Sequence, residues 1–464
     1  MEPTTTIRSN IEDYIRKQGY TLQYFADISG VNAGTLSAII KGTRPIAMAQ
    51  LDLITQGMKL EEGHFYEIYG AECFVESAPH WRRLEPFLQR CAELDKLDCI
   101  QRVIQQVTDD RSYVSELFEL AEYMLERDQK KAARMLYECV AECEKYQHSE
   151  RLALCHYRIF TLSLGQDQHE NLRAAVHFEP YINRLDEERQ LDAIRELANT
   201  YSGLRHWDKV FQLAGELEQR VGFLEQYQTK KKGLDNDRVS KHPLFTYRSY
   251  AHLLMSNVWG ERGNYEKALN LTTLYSNVVV DDPTAEDLIF IKRFKDWAEV
   301  NSYLYKLMLG DYEALNSYLD FIDEDENETL LGLVKVMEAA NLYNLNVDHA
   351  LRRFDLYIHL LFEEGNHETS YVVQVKDDRY TKFWAELAFY QLSKERYEEG
   401  FRSLMTCLSS AHKIKDDSTI IYCVGLFEEY RNQATESVKL NYSNLIKEVY
   451  GRYAKKSHVS INAV

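Results

Sequence analysis

The stretch Thr21–Arg44, TLQYFADISGVNAGTLSAIIKGTR, decides how the rest of the chain is read. Thr21 carries a hydroxyl that can accept a backbone N–H, and Leu22–Ser29 follows as a short helix. Ala26 falls where a second helix crosses, and a larger side chain there would force the two apart. Gly30 sits where the chain must turn through positive φ, which a residue without Cβ adopts cheaply. Asn32 then caps a second helix over Ala33–Lys41, with Leu36 and Ile39 on its inner face and Ile40 beside them. Gly42 ends it. Two short helices joined by a tight turn form the unit that lays its second helix in the major groove of DNA. The competing reading is an ordinary hairpin of a helical protein. The register of small residue, turn glycine and two apolar anchors favours the first.

Working outward, IRSNIEDYIRKQ (7–18) places Ile7, Ile11, Tyr14 and Ile15 on one helical face. After Gly42, Pro45 starts a segment with Met48, Leu51, Ile54 and Met58 at helical spacing, and Phe65, Tyr66, Ile68 and Tyr69 close it. Five helices over about residues 7–70, with the turn in second place, resemble the Cro/phage-repressor class of helix-turn-helix domains. The resemblance places DNA contacts at Asn32, Ala33, Gly34, Thr35, Ser37 and Ala38, with Lys41 and Arg44 just beyond them on phosphates. Of the usual base-reading positions, Ala33, Gly34, Thr35, Ser37 and Ala38, only Thr35 and Ser37 can hydrogen-bond a base edge. Readout then rests on few contacts and on DNA shape.

Charge opposes this reading and therefore constrains it. The 464 residues carry a formal net charge of −18. Within 1–70, Arg8, Arg16, Lys17, Lys41, Arg44 and Lys59 are outnumbered by Glu2, Glu12, Asp13, Asp27, Asp52, Glu61, Glu62 and Glu67. Counterion release drives non-specific affinity, so binding by one such domain is weak and salt-sensitive, and two copies are expected to act together. Length allows more than one domain. Gly (20) and Pro (7) fall below average usages of about 7% and 5%, which disfavours phosphate-cradling loops and turn-dense β architecture. Eight cysteines without a secretory leader fit a reduced, cytoplasmic setting. Cys139 and Cys143, with Cys155 and His156 nearby, lack the second close pair that a metal site needs, so they are expected as buried thiols and no metal or cofactor is expected. No apolar run approaches the roughly 18 residues of a membrane span. HExxH, GxSxG, Walker A and GxGxxG patterns are absent and the fourteen histidines are scattered, so an enzyme is not expected.

From about residue 80 the chain reads as some eighteen amphipathic helices with no strand, separated by cap residues such as Asp95, Ser149, Asp186 and Asp416. A degenerate repeat runs through them. Its clearest copy is Gly263-Asn-Tyr-Glu-Lys-Ala-Leu269, which resembles the turn of a tetratricopeptide (TPR) repeat: Gly ends helix A, Tyr packs, and Ala opens room in helix B. Related turns are Gly310-Asp-Tyr-Glu-Ala-Leu315, Arg396-Tyr-Glu-Glu-Gly400 and Arg205-His-Trp-Asp-Lys-Val210, and looser ones are Arg127-Asp-Gln-Lys-Lys-Ala132 and Asn346-Val-Asp-His-Ala350. Two polar breaks interrupt them, 228–243 with Lys230, Lys231 and Lys232, and 364–379. The expected fold is all-α: a five-helix domain over 1–70, then a right-handed TPR-like superhelix over 71–464 that binds peptide and dimerises.

A repressor-like domain followed by degenerate TPR repeats resembles the RRNPP family of peptide-pheromone receptors. The resemblance implies a cytoplasmic, homodimeric transcription regulator that binds a double-stranded DNA operator. A short signalling peptide in the concave groove controls it in quorum-sensing fashion. Counting back from the Gly263 and Trp207 turns puts Asn257 and Asn199 on the groove-lining face, where the family uses asparagines to clamp peptide backbone. Arg195, one turn before Asn199, suits a C-terminal carboxylate, and Glu261 suits a basic side chain. Tyr250 and Asn301 complete the candidate set. A second reading makes the same asparagines helix-bridging residues. A second function class is a TPR interaction protein whose N-terminal domain no longer binds DNA; a regulator of response regulators ranks last, because that branch lacks the helix-turn-helix.

Overall fold

The computed structural model describes residues 6–74, 80–107, 111–165, 167–230, 241–324, 326–364, 371–414 and 416–459. These form twenty-four α-helices and three short 3-10 turns, with no strand among the described residues. The chain is all-α. No helix among the described residues is long and apolar enough to cross a membrane. Two compact units emerge, Met1–Leu164 with Glu170–Ala193, and Gly165–His169 with Ile194–Val464. The line expected near residue 70 is therefore not where the compact units part.

The first unit opens with α1 (Ile7–Gln18), α2 (Leu22–Ser29), α3 (Ala33–Ile40), α4 (Met48–Gly57) and α5 (Tyr66–Glu72). Thr21 Oγ1 accepts from Tyr24 N at 3.1 Å, and Asn32 Oδ1 accepts from Gly34 N at 2.9 Å and Thr35 N at 3.3 Å, so both caps form as the side chains dictate. Gly30 (φ 74°) and Gly42 (φ 76°) occupy the left-handed region. Helix α3 ends one residue earlier than expected, with Lys41 as its C-cap. Ile7, Ile11, Phe25, Leu36, Ile39 and Leu51 are fully buried between these helices. The same core continues into α6 (Trp81–Glu93), α7 (Leu97–Val107), α8 (Val114–Glu126), α9 (Lys130–Glu144) and α10 (Glu150–Ser163). Tyr66 and Tyr69 set their rings 5.7 and 5.3 Å from Phe87, and Asp52 receives the Tyr66 hydroxyl at 2.8 Å and Arg90 Nε at 3.1 Å. Large aromatic faces of α5 thus need α6 as their cover. Helix α11 (Gln168–Phe178) follows.

Helix α12 (Glu187–Gly203) contains the division, and α13 (Trp207–Lys230), α14 (Leu244–Glu261), α15 (Tyr265–Ser276), α16 (Ala285–Met308), α17 (Ala314–Glu324) and α18 (Glu326–Tyr343) follow. Then come the short α19 (Asp348–Arg353) and α20 (Asp355–Glu364), and α21 (Tyr371–Ser393), α22 (Tyr397–Ile414), α23 (Asp417–Tyr430) and α24 (Glu436–Val459). One turn geometry recurs between them. Arg205, Gly263, Gly310, Asn344 and Glu395 all have φ between 51° and 89°. The residue after each donates its N–H to a carbonyl five positions back, for example Asn264 to Trp259 at 2.9 Å and Arg396 to Gln391 at 2.9 Å. Five residues beyond the left-handed residue, Val210, Ala268, Leu315 and Gly400 are buried. A Cβ on Gly400 would lie 2.6 Å from Leu392 Cγ, which shows how closely that small residue lets the helices approach. Asp95 and Asp128 make the same turn in the first unit. Alternate helices pack in series, α14 on α16, α16 on α18, α18 on α21 and α21 on α23.

Ser149, Asp186 and Asp416 accept from backbone N–H groups three residues on, as expected of caps. Asp95 does not: it ends α6 in the left-handed conformation instead of opening a helix. Of the break expected over 364–379, residues 365–370 lie outside the described residues, and from Tyr371 onward the chain belongs to α21. The β-branched Val372 and Val373 disfavour helix locally, but the helix continues into the buried Phe383, Trp384, Leu387 and Ala388, and tertiary burial outweighs propensity. Lys231 and Lys232 lie outside the described residues, as does the rest of 231–240. All eight cysteines are buried free thiols, and no metal-ligating cluster occurs among the described residues.

Candidate functional site

Helix α3 presents its outer face by burying Leu36 and Ile39 completely. Asn32, Gly34, Lys41 and Arg44 are exposed, while Ala33, Thr35, Ser37 and Ala38 are half-buried. Asn32 spends its carbonyl oxygen on the cap, which leaves its NH2 group facing outward chemistry. The carbonyl of Ala38 accepts from Thr43 N at 3.0 Å, Arg44 N at 3.2 Å and the Thr43 hydroxyl at 3.2 Å. That wrap folds residues 43–44 back onto the helix end, and Arg44 Nη1 reaches Thr35 Oγ1 at 3.5 Å. Arg8 adds a cation whose place beside α3 the sequence did not reveal: its guanidinium lies 2.8 Å from where a Cβ on Gly42 would stand. The Arg8 guanidinium beside Gly42 and the C-cap residue Lys41 thus stand at the C-terminal end of α3, where the helix dipole also favours cations, while Arg44 reaches back to its first turn. This local basic edge is what an otherwise acidic segment needs to approach phosphate.

Among the described residues of the second unit, alternate helices line a smaller and a larger cavity. The smaller, about 310 Å³, lies between α12, α14 and α16 and brings Arg195, Asn199 and Tyr250 together. Tyr250 donates its hydroxyl to Asn199 Oδ1, and burial pushes the phenol up from its usual value, against Arg195. Glu196 pairs with Arg195 at 3.1 Å. The larger, about 710 Å³, spans α14, α16, α18, α21 and α23 and includes Glu261. Asn257 and Asn301 line neither cavity. Asn257 Oδ1 accepts from the Tyr305 hydroxyl at 3.4 Å, and Asn301 Nδ2 donates to Tyr275 Oη at 3.0 Å, so both bridge neighbouring helices.

The larger cavity is walled by residues the sequence reading missed. Lys335, at 3.1 Å, and Lys382 flank Glu338; burial works against that charge, but the two ammonium groups outweigh it and hold the carboxyl below its usual range. Asn341 Nδ2 donates to the Glu386 carbonyl at 2.9 Å and to its carboxylate at 2.7 Å, and burial pushes Glu386 up despite that bond. Asn341 Oδ1 is buried in the same wall with no donor among the described residues. A signal for these positions was present. Asn199 and Asn257 stand six residues before the left-handed Arg205 and Gly263, and the same count back from Asn344 reaches Glu338, with Asn341 one turn later.

Both cavities mix polar and aromatic side chains in their lining, as expected of a site that orients a small flexible ligand. No protein-family model matches this chain, and no curated protein matches it.

Proposed function

We propose that the chain is a cytoplasmic transcription regulator of the peptide-receptor type. Helix α3 enters the major groove of a double-stranded operator, and a short peptide bound across the alternate helices of the second unit controls that binding. Those helices are read as degenerate TPR-like repeats forming a right-handed superhelix. The observation that carries the proposal is the α2–turn–α3 unit with both N-caps formed, Arg8 beside Gly42, and the exposed Lys41 and Arg44 following its outer helix. The recurrent left-handed turn supports the repeat reading, and the unsatisfied Asn341 Oδ1 suits a backbone N–H of an extended ligand. A slightly acidic domain offers few phosphate contacts, so the binding form is a homodimer meeting two half-sites.

The test is fluorescence anisotropy of the full chain with a random-sequence duplex, followed by selection from a duplex library. Replacing Lys41 and Arg44 together with Ala is expected to weaken binding to all sequences alike and to flatten the salt slope by about one per cation removed. Failure of the wild-type chain to bind any duplex at low salt would refute the regulator and favour the protein-interaction reading.

A further inference from the structure

The smaller cavity is lined by five aromatic side chains and two guanidinium groups. Tyr247 and Tyr250 from α14 and Phe290, Phe294 and Trp297 from α16 wall it with rings. Phe294 and Trp297 meet edge to face at 5.4 Å, and Trp297 stays 38% exposed. Two guanidinium groups lie over these rings: Arg195 is 5.9 Å from the Tyr247 centroid, and Arg293 is 5.9 Å from Phe290 and 6.0 Å from Trp297. Glu196 is the one carboxylate in the lining, and Arg195 takes it. Arg293 has no carboxylate partner among the described residues. A chain with a net charge of −18 therefore holds a locally cationic, aromatic-walled pocket.

We propose that this pocket takes the C-terminal residue of a peptide that ends in Phe, Tyr or Trp, a reading that rests on the groove being the peptide site. The terminal ring inserts among the aromatic walls, where edge-to-face partners and removal of apolar surface from water both favour it. The α-carboxylate lies against the Arg293 guanidinium, whose planar fork matches carboxylate geometry. Asn199 uses Oδ1 on Tyr250, so its NH2 group remains to donate to the carbonyl of the preceding residue. A basic terminal residue is repelled, because Arg195 and Arg293 already lie over the ring faces that would receive a cation. A volume of about 310 Å³ holds one large residue, which limits the selection to the end of the ligand.

Titration calorimetry on the full chain tests this with four probes: Ala-Ala-Phe with a free carboxylate, its C-terminal amide, Ala-Ala-Ala, and N-acetylphenylalanine. The free acid Ala-Ala-Phe is expected to bind at least about tenfold tighter than its amide and than Ala-Ala-Ala, as a charge-assisted hydrogen bond and a buried ring each imply. Arg293→Gln is expected to abolish the acid–amide difference, and Arg293→Lys to keep part of it, both with wild-type circular dichroism. Equal binding of acid and amide, or no binding by any probe at millimolar concentration, would overturn the assignment. N-acetylphenylalanine binding as tightly as the tripeptide would overturn the peptide as source. None of these outcomes depends on DNA, so a failure here leaves the regulator reading standing, and a failure of DNA binding leaves this pocket standing.

Discussion

Gly57→Ala tests the packing that presents helix α3. Gly57 is the last residue of α4, and a Cβ there would lie 2.6 Å from Ser29 Cβ, 2.9 Å from Ser29 Cα and 3.5 Å from Phe25 Cε2. Ser29 is itself buried, and it ends α2 immediately before the turn. A clash with Cα cannot be relieved by rotating a side chain. Carbon atoms prefer about 3.5–4 Å, so α2 and α4 must part by roughly 1 Å. Overpacking of this kind costs about 1–3 kcal/mol, and the backbone contact places it in the upper part of that range. Alanine regains at most about 1 kcal/mol of helix propensity over glycine. The net expectation is a loss of about 2 kcal/mol, which corresponds to roughly thirtyfold lower hydrogen-exchange protection in α2 and α4. Amide exchange on the full chain reads this directly. Protection equal to or above wild type would refute the close approach of the two helices and, with it, the argument that glycine is required there.

Two further predictions concern pH. In the first unit, His156 stacks on Tyr181 at 3.8 Å, and burial, then His177 and Arg184, push it down to about 4. An unfolded imidazole titrates near 6.5, so the unfolded chain takes up a proton that the folded one refuses, and stability falls as pH drops from about 6.5 to 4. The ring is only half-buried, which limits the effect to about 1–2 kcal/mol; His156→Phe should flatten that part of the melting profile, and an unchanged profile would contradict the assignment. In the second unit, the hydrogen bond from Arg396, at 2.8 Å, and then that from Tyr390, at 2.9 Å, hold Asp348 down to about 2. This contribution is present above the usual carboxylate range and is lost as pH falls towards 2. Arg396→Ala should raise the Asp348 titration midpoint, visible by carboxyl NMR, and cost about 1 kcal/mol at neutral pH; a midpoint that stays put would show that the pair is not what holds it.

The all-α class was legible in the sequence because helical periodicity and sparse Gly and Pro are local properties. So were the α2–turn–α3 unit and the inter-helix turns. Thr21 and Asn32 act on backbone groups within three residues of themselves, Gly30 acts through its own positive φ, and the turns at Arg205, Gly263 and Gly310 end helices through bonds five residues long. Asp95 shows the edge of that legibility: a residue suited to starting a helix equally suits ending one through positive φ, and only its neighbours' burial decides. The cavities were legible only in part. Counting from the turns led to Arg195 and Asn199, but it could not tell that a tyrosine from the next alternate helix would occupy Asn257 while Asn341 kept an unsatisfied oxygen. Which side chains of α12, α14 and α16 meet, and that Arg8 comes to rest against Gly42, depends on crossing geometry between segments far apart in the chain. Local sequence sets the helices and their ends because those bonds are short-range. Tertiary structure alone decides which faces enclose a site, because that is settled by how ridges of one helix fit the grooves of another.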